Sequence, residues 1–255
     1  MVEPPAGVAF CGDDALAYRR SRTRFAPGEG LTLDEAYRRA HLPLVAPRHP
    51  RVIAADAARG YAMGRHAPVF SLVLPVPAAA LEAAAAWREL DREFRAAPFA
   101  AKVAWDLLPR RRARLHATLC GNLSIGVPPV LDPATRAALA RLGPVAVELR
   151  GVLSGNVNVG RLYLRAYPEC RDGADVLASI QRALGRPETG FYAVGMWNLT
   201  DDLDASEAAA LAALIEHGWD RPVLRLAVDA LWLLGSRDDL VLDGEVVETI
   251  ALTPR

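Results

Sequence analysis

Hydrophobic and polar positions follow a regular pattern from residue 69 onward. Apolar runs rich in β-branched and aromatic residues predict strands over residues 70–76, 103–108, 115–120, 145–153, 159–167, 191–199, 223–234 and 240–250. Helical patterning predicts helices over residues 78–96, 133–142, 173–184 and 206–217. Hairpins occur beside helical crossovers, which indicates an α+β fold rather than a doubly wound parallel sheet. No glycine-rich loop follows a predicted strand, so dinucleotide-binding and P-loop sites are excluded.

Residues 1–68 differ from this regular part, because they contain arginine pairs and scattered prolines. Thr32 is placed to act as an N-cap, with Glu35 completing a capping box, which predicts a helix over residues 33–40. A second short helix is predicted over residues 54–58. The chain therefore divides into a helical and loop N-terminal extension, residues 1–68, and a main domain, residues 69–255. The order of elements repeats within the main domain, which indicates two similar lobes.

Composition narrows the class of protein. A chain of 255 residues with 52% hydrophobic residues can bury a sizeable core, so a mostly disordered chain is excluded. The 30 basic and 30 acidic residues balance, which argues against bulk electrostatic binding of nucleic acid but leaves room for one local basic site. Lys102 is the one lysine among the basic residues, and this arginine bias is typical of a GC-rich bacterial genome.

The spacing of cysteines and histidines predicts neither a disulfide framework nor a metal site. The three cysteines are far apart, no C-x-x-C pair occurs, and the five histidines do not cluster, so we expect no metal and no cofactor. The chain starts without a signal-peptide pattern and has no apolar run of about 18 residues. We therefore expect a cytoplasmic protein with no membrane partner.

A basic segment followed by a polar strand face is the strongest candidate site. On the strand over residues 115–120, alternation places His116, Thr118 and Cys120 on one face and apolar residues on the other. The His116 and Thr118 side chains are then roughly 6–7 Å apart, a span that suits two groups holding one phosphate. The segment upstream carries arginines that can pair with phosphate oxygens: Arg110, Arg111, Arg112 and Arg114. The alternative is an ordinary half-buried strand histidine behind a solvated arginine loop.

The sequence His116-Ala117-Thr118-Leu119 resembles the first His-x-Thr-hydrophobic motif of the 2H phosphoesterase superfamily. That superfamily includes 2′-5′ RNA ligase-like proteins and cyclic nucleotide phosphodiesterases. The resemblance covers residues 69–255, and residues 228–236 are similar to the family's closing strand pair. It implies a two-lobed fold with antiparallel sheets around a central cleft, in which one His-x-Thr strand from each lobe faces the other. Two histidines then exchange protons with the substrate, the threonines hold phosphate oxygens, and no metal is needed.

The second motif of that family is absent from the strand expected to carry it. An alignment without gaps puts Gly195 at the histidine position and Trp197 at the threonine position; a shift by three residues puts Asn198 at the histidine position. These alternatives present opposite strand faces to the cleft, and neither supplies an imidazole. The remaining histidines lie outside this strand, although His49 or His66 from the N-terminal extension could fold over the cleft.

The strand over residues 159–167 carries a third candidate feature. Arg161, Tyr163, Arg165 and Tyr167 share one face, an alternation that can stack bases and pair with phosphates. Substrate binding through Tyr163 and Arg165 is one interpretation, and an ordinary water-facing sheet surface is the other.

The sequence thus predicts a divergent 2H-type phosphodiesterase-like protein that binds a phosphate ester of a nucleotide or an RNA end in an interlobe cleft. His116 and Thr118 would be catalytic, and a hydrolase would open a 2′,3′-cyclic or 2′-5′ phosphodiester without a metal. The alternative is a non-catalytic nucleotide-binding or scaffold protein that has lost the second histidine. A third interpretation makes the N-terminal extension a protein-interaction arm beside a vestigial cleft.

Overall fold

The computed structural model describes residues 7–253. Its α-helices are α1 (Glu35–Ala40), α2 (Leu42–Val45), α3 (Ala78–Ala83), α4 (Ala85–Ala96), α5 (Leu107–Arg111), α6 (Pro133–Leu142), α7 (Val176–Ala183) and α8 (Ala205–His217). Its strands are β1 (Ala55–Asp56), β2 (Tyr61–Ala62), β3 (Arg65–Pro75), β4 (His116–Ile125), β5 (Val145–Ser154), β6 (Arg161–Pro168), β7 (Cys170–Arg171), β8 (Ala174–Asp175), β9 (Ala193–Asn198), β10 (Pro222–Val228), β11 (Ala230–Asp238) and β12 (Gly244–Ala251). No helix in this part of the chain is both long and apolar enough to cross a membrane.

Eight strands form two four-stranded antiparallel units. The first has the order β12–β11–β3–β4, and the second has the order β9–β6–β5–β10. The two units meet at one registered pair, Ala117 of β4 and Val194 of β9. The β1–β2 hairpin extends the start of β3. This topology confirms the predicted α+β fold with two lobes and antiparallel sheets.

Helix α4 shows how a one-sided apolar pattern builds the core between the lobes. Trp87, Leu90 and Phe94 recur at helical spacing and are all buried. The Trp197 ring of β9 stacks between two of them, 5.2 Å from the Trp87 ring and 4.1 Å from the Phe94 ring. Although α4 follows a strand of the first lobe, it also packs against β10 of the second, so the two lobes share this core.

Two predicted elements are interrupted. The single helix predicted over residues 78–96 is two helices separated at Ala84, which is extended. On one continuous helix Leu81 and Trp87 would lie about 120° apart around the axis, whereas the break lets both side chains reach the core. The strand predicted over residues 223–234 is likewise two strands, β10 and β11, because Asp229 lies where the chain crosses from one lobe to the other.

Local predictions near the site also need correction. Residues 103–108 form no strand: Val103 makes an isolated bridge to Leu199, and α5 follows with its proline in the first turn, where no intrahelical N–H is needed. Helix α1 begins at Glu35, because the Asp34 carboxylate, rather than Thr32, accepts the Tyr37 backbone N–H at 2.8 Å. Residues 54–58 form β1 and part of a 3₁₀ turn instead of a helix.

The N-terminal segment, residues 7–64, packs across the second lobe. The buried Tyr18 hydroxyl contacts the carbonyl oxygens of Ala166 at 2.5 Å and Tyr192 at 2.9 Å. Leu33 and Tyr37 are buried as well, and strand β3 begins immediately after the segment. This part of the chain therefore contributes to the core instead of projecting from it.

Candidate functional site

A cavity of about 260 Å³ lies against β3, β4 and β11 and is closed on one side by the N-terminal segment. Three of the five histidines line it, namely His41, His66 and His116. Thr118 and Arg161 also line it, together with the turn between β11 and β12. The cavity therefore brings together residues from both lobes and from the N-terminal segment.

Strand β4 presents His116 and Thr118 to the cavity, while Ala117 and Leu119 are buried in the core, as the alternating pattern predicts. The Thr118 hydroxyl has no hydrogen-bond partner among residues 7–253 and is exposed. Cys120 does not share this face. A bulge shifts the register between Thr118 and Cys120, which turns the Cys120 side chain into the core.

Hydrogen bonding fixes the protonation of His116. Its Nδ1 lies 2.7 Å from the Arg114 carbonyl oxygen, which only accepts, so the neutral ring carries its proton on Nδ1. Nε2 then holds the lone pair and makes no hydrogen bond to residues 7–253. Burial lowers the pKa of His116 to about 4; the Arg114 carbonyl opposes this shift, and the charges of Arg111 and Arg161 add to it. His116 is therefore a neutral proton acceptor near pH 7.

Two arginines beside His116 lack a carboxylate partner. Arg111 is 5% exposed and makes no hydrogen bond or ion pair with residues 7–253. Burial and the Arg161 charge lower its pKa to about 9. Arg161 donates from Nη1 to the Asp239 carbonyl oxygen at 2.9 Å, and its Nε is buried without a partner. Buried cations are normally paired, so these two leave an unbalanced positive charge beside the cavity.

Carboxylates near these arginines have other partners. The Asp238 charge acts on the pKa of Arg111, but the Asp238 oxygens accept backbone N–H groups of the β11–β12 turn, those of Leu240, Leu242 and Asp243. The Asp239 carboxylate lies 3.1 Å from His66 Nε2 and 3.0 Å from the Tyr61 hydroxyl. Neither carboxylate therefore neutralises the guanidinium pair directly.

Gly195 lies opposite His116 on the adjacent strand, since Ala117 pairs with Val194 and directly opposite residues share a face. A Cβ atom on Gly195 would come within 2.8 Å of Arg161 Cζ, closer than real Cβ contacts. The Arg161 guanidinium therefore occupies the space that a side chain at position 195 would need. An arginine from β6 stands where the resemblance implies a second histidine.

Asn198 is also near the cavity, whereas Trp197 is not. A bulge in the β6–β9 ladder, between the pairs Leu162–Trp197 and Tyr163–Gly195, turns Trp197 to the face opposite Gly195. The predicted position of Trp197 in the cleft is therefore wrong, because its ring is in the core. The Asn198 amide nitrogen lies 3.2 Å from the Tyr37 hydroxyl and 3.3 Å from His41 Nδ1.

His41 and His66 have opposite charge states. Burial, aided by the Arg161 charge, lowers the pKa of His41 to about 3. His66 lies 2.7 Å from the Ala67 carbonyl oxygen through Nδ1 and 3.1 Å from the Asp239 carboxylate through Nε2, and both partners accept. Both ring nitrogens therefore donate, and the hydrogen bond to Asp239 raises the pKa of His66. Burial opposes ionisation of Asp239, but the hydrogen bond from His66 outweighs it and, together with the His66 charge and the Tyr61 hydroxyl, lowers the pKa of Asp239 to about 2.

None of the four predicted arginines of the basic segment lines the cavity, although the charge of Arg111 is close enough to lower the pKa of His116. The segment is helix α5 and a 3₁₀ turn rather than a loop, so its side chains point in different directions. Arg110 pairs with Asp106 at 3.3 Å, and Arg112 pairs with Glu82 through two contacts of 2.6 and 2.7 Å. Arg114 donates to backbone carbonyls of the β11–β12 region, those of Gly244 and Leu242. Arg111 alone among them is buried with no described partner.

The predicted arginine–tyrosine face of β6 is divided between two environments. Arg161 lines the cavity. Tyr163 lies next to Arg161, and the Arg161 guanidinium is 5.3 Å from the centre of the Tyr163 ring. Arg165 is fully buried, with its guanidinium 3.7 Å from the Trp219 ring centre. The predicted role of Arg165 in substrate binding is wrong, because the N-terminal segment covers this half of the strand.

His41, Asp239 and Arg161 line the cavity but were not among the site residues predicted from the sequence. No local pattern marks His41 or Asp239, since each reaches the cavity through long-range packing. The alternation along β6 did contain Arg161. Among residues 7–253, no group of three or more His, Cys, Asp or Glu side chains is arranged to hold a metal ion.

No protein-family model matches this sequence, and no curated protein matches it. Among solved structures, the chain is similar to LigT in the crystal structure of E. coli LigT complexed with ATP. The sequences are 16% identical, the alignment covers 74% of this chain and 100% of the LigT chain, and the TM-score is 0.36. The side chains around the cavity must therefore decide what this protein can bind.

Proposed function

We propose that the cavity binds the phosphate group of a nucleotide or an RNA end, and that the protein hydrolyses a 2′,3′-cyclic or 2′-5′ phosphodiester there. The observation that carries this proposal is the pair of buried guanidinium groups, Arg111 and Arg161, without a carboxylate partner. A phosphate would supply the missing negative charge and accept from Arg161, which lines the cavity, while Arg111 adds positive charge from behind the cavity wall. Thr118 offers a hydroxyl on the same side of the site.

His116 gives this anion site a group that can move a proton. Its Nε2 lone pair would accept a proton from the attacking water as the water oxygen bonds to phosphorus. The bond from phosphorus to the O2′ or O3′ leaving oxygen then breaks. Arg161 offsets the charge on the phosphate, and the leaving oxygen takes a proton from solvent, because no second imidazole faces His116 from β9.

The test is incubation of the protein with adenosine 2′,3′-cyclic monophosphate and separation of the adenosine 2′- or 3′-monophosphate formed. His116→Ala should lower kcat/KM by about 10²–10⁴-fold, the usual contribution of a positioned base. Arg112→Gln, on the neighbouring turn, should leave turnover unchanged, because Arg112 pairs with Glu82 outside the cavity. Turnover that survives His116→Ala would remove His116 from the reaction.

A second function, phosphate binding without turnover, is favoured by the arrangement at Gly195. There Arg161 provides permanent positive charge instead of a titratable proton donor. Calorimetry with the same cyclic nucleotide separates the two functions. Binding that depends on Arg111 and Arg161, without consumption of the nucleotide over many hours, would identify a sensor or scaffold rather than a hydrolase.

A further inference from the structure

We propose that His41 of the N-terminal segment donates a hydrogen bond from Nε2–H to an oxygen of the phosphate held beside Arg161. His41 would thereby complete the anion site from outside the two strands that form its centre. This inference deepens the proposed function and rests on it. It assigns His41 as a binding residue and Asn198 as the positioning residue that sets its tautomer.

The hydrogen bonds around Asn198 determine which nitrogen of His41 carries the proton. The Tyr37 hydroxyl donates to the Leu199 carbonyl oxygen at 2.6 Å, so it can only accept from Asn198. The Asn198 atom facing it is therefore the amide nitrogen, and the same nitrogen lies 3.3 Å from His41 Nδ1. Because an amide nitrogen only donates, His41 Nδ1 accepts, and the neutral ring must carry its proton on Nε2.

This Nε2–H group is buried and has no partner among residues 7–253. His41 is 0% exposed, although it contributes to the cavity wall. An unpaired buried donor is unfavourable for folding, and Nε of Arg111 and Nε of Arg161 are unpaired in the same way. Of these residues His41 and Arg161 line the cavity, and a single anion that accepts from both would explain their two unpaired donors together.

Packing alone does not explain an imidazole at position 41. The His41 ring stacks on the Tyr37 ring with centres 5.1 Å apart and planes 7° apart. A phenyl ring would keep this stacking and would remove the unpaired Nε2–H, although the Asn198 N–H that His41 Nδ1 accepts would then lose its acceptor. The substitution His41→Phe therefore separates a packing role from a ligand-binding role.

The experiment compares wild type, His41→Phe and His49→Gln in titrations with inorganic phosphate and with adenosine 2′,3′-cyclic monophosphate. Calorimetry gives Kd, and thermal unfolding without ligand gives Tm. His49 belongs to the same segment but pairs with Asp201 at 3.0 Å outside the cavity, so His49→Gln is the matched control. We expect His41→Phe to raise Kd at least tenfold with a similar Tm, because the substitution removes one unpaired buried donor and leaves another on Asn198, and we expect His49→Gln to bind as wild type does.

A wild-type protein that binds while His41→Phe binds equally well would overturn this inference and leave the proposed function intact. A wild-type protein that binds neither probe would overturn both. If His41→Phe does not fold, spectra of wild-type protein labelled with ¹⁵N-histidine decide. His41 is the cavity histidine that stays neutral with its proton on Nε2, and phosphate should move that proton signal downfield; an unmoved signal contradicts the inference.

Discussion

Because position 195 is a glycine, the Arg161 guanidinium can occupy the space over β9 that lies directly opposite His116. The missing side chain thus changes the chemistry of the site as well as its shape. A histidine there would have offered a titrating proton, whereas Arg161 stays charged and lowers the pKa of its imidazole neighbours. Individual residues therefore favour anion binding with one proton acceptor over proton exchange between two histidines.

The substitution Gly195→Ala tests this arrangement. Its Cβ would displace the flexible end of Arg161, so the unfolding free energy should change by less than about 1 kcal/mol, while phosphate Kd rises about tenfold. Gly121→Ala on β4 is the control, because its Cβ meets only Thr118 Cγ2, at an ordinary 3.8 Å. Calorimetry and urea unfolding report both quantities. Unchanged affinity in Gly195→Ala would mean that the Arg161 position is irrelevant to binding.

Neighbouring side chains of one helix or strand lie in different environments in this structure. Helix α5 and its following turn send Arg110 and Arg112 to surface ion pairs and bury Arg111 near the cavity. Strand β9 likewise turns Gly195 toward the cavity and Trp197 toward the core, because the ladder bulges between them. A cluster of like residues in sequence is therefore a poor guide to a cluster in space.

Helix α5 allows a direct comparison of two arginines. Arg111→Met should weaken phosphate binding about tenfold, since it removes a buried positive charge beside the cavity, where charges are screened less than in water. The same change should leave the unfolding free energy equal or raise it by ~1 kcal/mol, because it removes a buried cation without a described partner. Arg110→Met should leave binding unchanged. Phosphate titration measures binding by both variants. An equal loss in the two would mean that phosphate responds to the overall positive charge of the protein rather than to a specific site.

The whole molecule surrounds the cavity with three separate parts of the chain. The first lobe contributes β4, β11 and β3 with His66, and the second lobe contributes Arg161 of β6. The β11–β12 turn contributes Asp239, and the N-terminal segment contributes His41. The site thus depends on the complete fold, and its buried histidines couple the charge of the cavity to global stability. This coupling gives a pH dependence whose sign follows from the direction of each shift.

Acid should destabilise the protein well above the pH at which carboxylates titrate. His41 and His116 have folded pKa values of about 3 and 4, against about 6.5 when unfolded, so unfolding takes up protons as pH falls below about 6.5. Urea denaturation should show a loss of about 2–3 kcal/mol between about pH 7 and pH 5.5. His66 has the opposite effect on the free energy of unfolding. Because its pKa is raised in the folded protein, it stabilises the fold at low pH, and this stabilisation is lost as pH increases.

His41→Phe should remove about half of the decrease in unfolding free energy between about pH 7 and pH 5.5. The reason is that unfolding of this variant takes up one proton instead of two. His49→Gln is again the control from the same segment. An equal pH dependence in wild type and His41→Phe would show that His41 does not stay neutral in the folded protein.

Local sequence patterns determined the faces and most of the elements. Alternation alone separated His116 and Thr118 from the buried Ala117, and the helix predicted over residues 133–142 matches α6 at both ends. The hairpin of β5 and β6 was also predictable, because two apolar runs flank a short polar turn. Such features depend on neighbours a few residues away, and those neighbours are visible in the sequence.

Tertiary structure decided what surrounds His116. The bulges that turn Cys120 and Trp197 into the core depend on pairing with other strands, so alternation could not reveal them. Arg161 reaches the site only because β6 lies beside β9, and His41 reaches it only because the N-terminal segment folds over the second lobe. These contacts join residues far apart in the chain, and the free energy that selects them comes from packing of the whole fold.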